Sequence, residues 1–237
     1  VNLFSRSQRY YDAIYSWKDY AQEAAQVKRV VAEHKRSDGN TLLDVACGTG
    51  AHAPYLRDEF VYEGLDLDPG MLTVARERFP DVVFHEGDMV DFALGRQFDV
   101  VTCLFSSIAS VRTEPRLRQA IATMAGHLRP GGVLLIGAFF SPHEWIPGHP
   151  HALFVDQPDL KLARMNVSGV EGSVAILDFH YLVATPDGVE QFTEHHELGL
   201  FTPEEYLAAF EHASLAVHHD TEWLGGRGMY IGTRPSQ

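Results

Sequence analysis

The stretch Asp44-Val45-Ala46-Cys47-Gly48-Thr49-Gly50 follows directly on the apolar run Thr41-Leu42-Leu43. A short apolar run that ends in closely spaced glycines reads as a buried strand turning sharply into a helix. Glycine supplies the left-handed backbone such a turn needs and lets the main chain come close to a ligand. The helix N-terminus beyond it presents unpaired N–H groups suited to an anionic group, here a carboxylate. Alone the pair is a weak clue, because Gly48, Gly50 and Ala53 also satisfy a loose dinucleotide fingerprint.

Working outward, a second strand is expected at Val61–Asp66, with Asp68 as N-cap and Pro69 as first residue of the next helix. A third strand at Val82–His85 runs into Gly87-Asp88-Met89, and a fourth spans Phe98–Leu104. A helix over 114–128 is closed by Arg129-Pro130-Gly131-Gly132, and a fifth strand covers Val133–Phe140. Strands alternating with helices indicate a parallel sheet of βαβ units. Ahead of it, residues 4–36 read as two helices, the second from about Asp19 with an apolar stripe of Ala21, Ala24, Ala25, Val27, Val30 and Val31. After residue 140 the pattern changes. Residues 141–159, rich in Pro and His, read as a loop; 160–167, 172–184 and 191–201 alternate like antiparallel strands, with a turn at Pro186-Asp187-Gly188. Thr202-Pro203-Glu204-Glu205 starts a helix, and runs near 215–219 and 228–233 complete the main sheet. The reading is one α/β domain over 1–237, with a helical cap at 1–36 and an antiparallel lid at 141–201. Ligands of open α/β sheets bind at the carboxyl ends of the strands, so the lid belongs over that end.

Lys+Arg numbers 19 against 32 Asp+Glu, a formal charge of −13 that repels nucleic-acid phosphates and anionic membrane surfaces. The expected partner is therefore a small molecule, and an anionic one would need a local positive patch. No apolar run has the length of a membrane span and Val1–Arg6 lacks a signal-peptide core. Cys47 and Cys103 are read as buried free thiols, and the cytoplasm as the compartment.

The strand ends carry chemistry together. Asp66 can take two hydrogen bonds from a ribose diol, which either a dinucleotide or an adenosyl ligand would use. Asp88 can accept from an adenine amino group while Met89 packs on the ring. Asp99, near the buried start of its strand, reads as structural. Four motifs in order, DVACGTG (44–50), GLDLDPGM (64–71), EGDM (86–89) and FDVVTCLFSSI (98–108), resemble the class I S-adenosylmethionine-dependent methyltransferases. That resemblance implies a Rossmann-like, mostly parallel seven-stranded sheet with helices on both faces, and S-adenosylmethionine as cofactor. It places Gly48 and Gly50 at the methionine part and Asp66 at the ribose, with Ala46, Leu67 and Met71 also among the cofactor-binding residues. Asp88, Met89 and Leu104 then fall around the adenine.

A closer resemblance is to the N,N-dimethyltransferases of nucleotide-linked deoxyamino sugars. It is carried by YYDAIY (10–15), KDYAQEAAQV (18–27), LLDVACGTGAH (42–52), HLRPGGVLLI (127–136), FHYLVATPDG (179–188), LFTPEEYLAAFEHASLAV (200–217) and GGRGMYIG (225–232). It implies a dTDP-linked aminosugar as acceptor, N-methylation in natural-product (antibiotic) biosynthesis and a possible homodimer. Tyr11 and Tyr20 would close over the cofactor, and Arg227 would contact the diphosphate or sugar; a guanidinium fork suits phosphate. Phe105, Ser106, Phe139, Phe140 and His143 complete the acceptor set. The chain also departs from the pattern. Ala109-Ser110 stand where such enzymes carry Gly-His, Gly137-Ala138-Phe139-Phe140 where they carry Glu-Pro-Trp-Trp, and Val167 and Ile176 replace a lid histidine and arginine.

Methyl transfer from a sulfonium is an in-line displacement, in which alignment and water exclusion matter most. An amine acceptor must be unprotonated, whereas a hydroxyl needs a real base. No general base is assigned; His143 and Glu144 are candidate acceptor contacts only. His195 and His196 face opposite sides of a strand, and no compact triplet of metal ligands is visible, so no metal is expected. The competing readings are an O-methyltransferase or an N-methyltransferase of another small metabolite, a non-catalytic cofactor-binding protein, and an NAD-dependent enzyme.

Overall fold

The structure, a computed structural model, describes residues 6–223 and 226–236. Phe4 and Ser5 of the expected first helix, and Gly225 of the GGRGMYIG stretch, lie outside the described residues.

The apolar runs become a seven-stranded sheet. In chain order its first strands are β1 (Thr41–Val45), β2 (Val61–Asp66), β3 (Val83–Glu86), β4 (Phe98–Cys103) and β5 (Leu128–Gly137). With β11 (Ala216–Asp220) and β12 (Met229–Thr233) the order across the sheet is β3-β2-β1-β4-β5-β12-β11. Pairing is parallel from β3 to β5, and β12 alone runs against its two neighbours. Every residue of β4 is buried, as expected of a central strand covered on both faces. One face packs on α5 (Glu114–Gly126) and α6 (Pro203–His212) through Phe98, Leu117, Ile121 and Phe210. The other packs on α2 (Tyr20–His34), α3 (Ala53–Leu56) and α4 (Pro69–Arg78) through Val27, Val30, Leu56 and Leu72.

Local signals act as expected where they are strong. Asp68 accepts from the N–H groups of Gly70 and Met71, and Thr202 with Glu205 forms a reciprocal capping box. Asp99 is structural, its Oδ2 taking the Thr41 N–H (3.0 Å) and hydroxyl (2.6 Å) and so tying β1 to β4. Other boundaries move. The stripe on α2 narrows, since Ala21 and Ala25 are exposed. α3 ends early because the Glu59 and Phe60 N–H groups fold back on the Leu56 carbonyl and send the chain into β2. The Pro-Gly-Gly stop after α5 is drawn into β5 as an irregularity, with Phe98 facing Leu128 but Val100 facing Val133.

The main correction concerns 141–159. Pro150–Gln157 is not loop but strand β6, the edge of a second, antiparallel sheet ordered β10-β9-β7-β6. Its other members are β7 (Leu160–Val167), β8 (Gly169–Glu171, on β9), β9 (Val174–Thr185) and β10 (Gly188–Gly199). The leading Pro-His pair hid a run, Ala152 to Val155, that is held in register by β7 rather than by its own pattern. The N-terminal segment is shorter than a full helix: a 3-10 turn at Ser7–Tyr10 leads into α1 (Tyr11–Ile14). Tyr10 and Ile14 bury themselves against Val155, Leu162, Val183 and Phe192, so a separate small core joins the N-terminal segment to the lid sheet.

Candidate functional site

At the carboxyl ends of β1 and β4 the backbone turns left-handed. Ala46 (φ 58°), Gly48 (φ 56°) and Gly50 (φ 72°) do so after β1, and Phe105 (φ 54°) and Ser106 (φ 62°) after β4. Three of these residues carry a Cβ, and such conformations cost of order 1–3 kcal/mol each and gather at functional sites. Ser106 is held by its hydroxyl, which donates to the Ala138 carbonyl (2.6 Å) just past β5.

Asp66 at the tip of β2 faces this turn. Its Oδ2 accepts from the Gly48 N–H (2.7 Å) and its Oδ1 from the Asp68 N–H (2.9 Å). Burial pushes the Asp66 carboxyl up, against the pull of those two N–H groups. Each oxygen keeps a lone pair, so a fixed, partly desolvated acceptor pair stands beside a main chain of low steric bulk. These residues fit an adenosyl cofactor with a ribose diol. Leu67, next in line, is 54% exposed despite being apolar, whereas Met71 (2%), Met89 (8%) and Leu104 (5%) are buried. Asp88 bonds the Val90 N–H (3.1 Å) and pairs with Arg116 at 3.2 Å. Behind the turn, Asp44 is buried yet satisfied, with Oδ1 taking the Thr102 hydroxyl (2.7 Å) and Oδ2 that of Tyr62 (2.8 Å). That pair of partners sits on two neighbouring strands and is invisible in the motif itself.

The N-terminal segment closes over the turn from above. Asp12 takes the Thr49 hydroxyl (2.8 Å) and the Arg78 guanidinium (2.6 Å), and Gln8 Nε2 donates to both Asp68 oxygens (2.9 Å). On its other side the Ser7 hydroxyl (2.7 Å) and the Arg6 and Ser7 N–H groups bond Glu194 of β10. Tyr11 is half-buried among Tyr15, Tyr20 and Asp66, and desolvation raises its phenol well above the usual range. Tyr15 sets its ring edge-on to Phe105 at 5.1 Å.

The aromatic residues after β5 gather with a residue missed in the sequence. Phe139, Phe140 and Trp145 stand 5.2–5.8 Å apart, and the Arg227 guanidinium lies 5.2 Å over the Phe140 ring. Trp145 is fixed by its indole N–H on the Gly169 carbonyl (2.9 Å) of β8, which no local signal announces. His143 is exposed, with Glu204 of α6 as a charged neighbour. Glu144 is also exposed, and its carboxylate caps Ser141. Of the lid departures, Val167 and Ile176 alternate with inward Leu162, Arg164, Ala175 and Leu177, and so lie on the outer face. Ile176 pairs there with Gly169, whose carbonyl holds Trp145. His195 and His196 do face opposite sides, His195 exposed beside Asp178 and His196 buried against Phe179.

A second cluster missed in the sequence lies under Tyr20. Lys18, its side chain 4% exposed, pairs with Glu23, and the same Glu23 oxygen meets His52 Nε2 at 2.8 Å. Lys18 Nζ stands 4.1 Å from the Phe105 ring centre and 4.4 Å from that of Tyr20. The three polar side chains come from beyond the cap of α2, from α2 itself and from the turn before α3, so spacing alone could not assemble them.

Comparison with known proteins decides the family. A family model described as a methyltransferase domain matches residues 42–132. A dTDP-3-amino-3,6-dideoxy-alpha-D-glucopyranose N,N-dimethyltransferase of Streptomyces fradiae is 41% identical over 226 residues, 94% of this chain and 88% of its own length. The chain belongs to the class I S-adenosylmethionine-dependent methyltransferases. Among solved structures, DesVI of Streptomyces venezuelae superposes on this methyltransferase with a TM-score of 0.91 at 38% identity, over 98% of this chain and 99% of its own. The S-adenosylmethionine-bound amino pentose methyltransferase CalS10 of Micromonospora echinaspora gives 0.85 at 40% identity, over 94% and 96%. The mostly parallel seven-stranded sheet, the enzyme class and the cofactor expected from the motifs all stand.

Proposed function

We propose that this methyltransferase transfers methyl groups to the amine of a nucleotide-linked (dTDP) deoxyamino sugar in natural-product biosynthesis. The observation that carries the reading is Arg227 stacked on Phe140 beside the strained end of β4, a guanidinium fork on an aromatic wall in a chain of net charge −13. A fork of this kind suits a phosphate, and the wall suits a sugar or base. The full-length relatives support it, since the Streptomyces fradiae enzyme is named for this chemistry.

When bound, S-adenosylmethionine supplies an electrophilic methyl on an excellent leaving group. In this reading Asp66 holds the ribose diol, the backbone from Ala46 to Gly50 receives the methionine part, and Asp88, Met89 and Leu104 surround the adenine. Tyr11 and Tyr20 exclude water from above, and Phe105 and Ser106 present the acceptor in line. Alignment of this kind is worth up to roughly 7–11 kcal/mol, enough to leave little for a base to do. The 1–36 segment acts as cap and 141–201 as lid of one domain. The exposed row Phe154, Met165, Leu182 and Val189 on the outer lid face supports a homodimer through that face. The two free buried thiols fit a reducing, cytoplasmic setting.

The test is turnover of labelled S-adenosylmethionine with a panel of dTDP-aminosugars, the matching 3- and 4-hydroxy sugars, and simple phenols. Methylated amine with the first group is expected. Product only from hydroxyl acceptors would replace the reading with O-methylation.

A further inference from the structure

The pocket contains no assigned base, yet an amine can attack only as the free base. We propose that Lys18, held by Glu23 and His52, sets a fixed positive charge at the acceptor position and so strips the incoming ammonium of its proton. The inference rests on the amine-acceptor reading above.

The geometry is specific. Lys18 lies just before the helix whose N-cap is Asp19, and the chain folds its side chain inward until it is 4% exposed. Its ammonium then sits over the Phe105 ring, the residue strained into the left-handed region at the end of β4. Gly137, at the end of β5, would place a Cβ 3.4 Å from the Phe105 N, so these two strand ends form one wall. Burying an ammonium costs several kcal/mol unless it is paired, and Glu23 is the partner that keeps Lys18 there.

The charged and titratable groups around it are few. Glu23 is the direct partner, but it divides one oxygen between Lys18 and His52. Tyr20 lends a ring face. Asp44 acts from across β1, its two oxygens engaged by Thr102 and Tyr62. Arg227 acts on Lys18 with a charge of the same sign. Glu144 opposes Arg227 but is exposed and screened by solvent. Of these groups it is the Lys18 ammonium that stands against the Phe105 ring, 4.1 Å from its centre. Burial lowers the lysine's own affinity for its proton, while Glu23 pulls it back up.

A cation at this distance disfavours a second cation beside it. The acceptor's N–H bond would break on binding, its proton passing to solvent and its electron pair staying on nitrogen. That pair would form the new N–CH3 bond as the cofactor's S–CH3 bond breaks with its electrons left on sulfur, and the methylated ammonium would lose its extra proton to solvent. Lys18 itself neither gains nor loses a proton.

The experiment compares kcat at saturating acceptor against pH for the wild type, Lys18→Arg and Lys18→Met, with a dTDP-aminosugar, because kcat follows ionisations in the bound complex. Lys18→Arg keeps the charge and should keep the acid limb within about 0.3 pH unit. Lys18→Met should move that limb up by about one unit, a tenfold loss at low pH that recovers at high pH. If Lys18→Met does not melt cooperatively, Lys18→Gln, which retains a polar head for Glu23, replaces it. Calorimetry in buffers of different ionisation heat gives a second readout on the wild type: proton release should accompany acceptor binding below the free amine's pKa. A limb that stays put in the uncharged variant, a loss of cofactor affinity as its sole defect, or binding without proton release would each overturn the proposal. A wild type inactive on every amine would instead defeat the acceptor reading.

Discussion

The two sheets of this enzyme are built on opposite principles. In the main sheet the central strands are covered on both faces, and β4 is buried along its whole length. In the lid sheet only one face is covered: in β7 buried Leu162 and Asn166 alternate with exposed Lys161, Met165 and Val167. A doubly covered strand reads as an apolar run that ends where the chain turns to the site. A singly covered strand reads as alternation, which a Pro or His at its margin easily masks. The first arrangement suits a fixed cofactor cradle, since its strand tips are pinned from both sides. The second suits a wall whose inward residues can vary while the outer ones stay free. The N-terminal segment bolts the two together, with Asp12 and Gln8 on the main-sheet side and Ser7 on Glu194 of the lid.

Three experiments bear on that contrast. The largest effect is expected in the cradle. Asp66→Ala removes the acceptor of two backbone N–H groups and of the ribose diol, and should weaken S-adenosylmethionine binding at least about a hundredfold by calorimetry, at roughly 1.5–3 kcal/mol for each charged hydrogen bond. Near-normal affinity would mean that the strand tips are not the cradle. Next comes the bolt. Burial alone would raise the Glu194 carboxyl, but bonds from His196, Ser7 and the Arg6 and Ser7 N–H groups outweigh it and hold the pKa at about 2, against an ordinary 4.5. A folded-state pKa below the unfolded one stabilises at pH above about 4.5, and that stability disappears as pH falls through about 2. Glu194→Gln should therefore cost on the order of 3 kcal/mol at neutral pH and almost nothing near pH 2, read from denaturant melts. An equal deficit at both pH values would show that the glutamate works by packing alone. The smallest effect lies at the acceptor wall. Arg227→Ala should raise the acceptor KM about tenfold, about 1.4 kcal/mol, while leaving cofactor affinity unchanged. An unchanged KM would point to an acceptor without a phosphate.

How much could be read in advance follows the same division. The glycine turn, Asp66 and the Thr202 capping box are local, and each acts where its sequence signal stands. Asp88 and Met89 likewise follow β3 as expected, although Asp88 already holds Arg116. The strand at Pro150–Gln157 went unread because its pairing comes from β7. His143, expected near the acceptor from its place after β5, is exposed beside a turn capped by Glu144. Lys18 with His52, and Trp145 with the two phenylalanines, carried no signal at all, since their members meet only after the segments pack.

By itself the sequence determined the order of strands and helices through β5, the flexible turn after β1 and the carboxylates at the strand tips. Each of these depends on residues within a few positions of one another. Tertiary structure alone decided what covers that turn and which charged side chains are buried beside it. Burial and ion pairing, unlike turns and caps, are set by neighbours that the chain brings from far along its length, as Glu194 meets Ser7 and Arg227 meets Phe140.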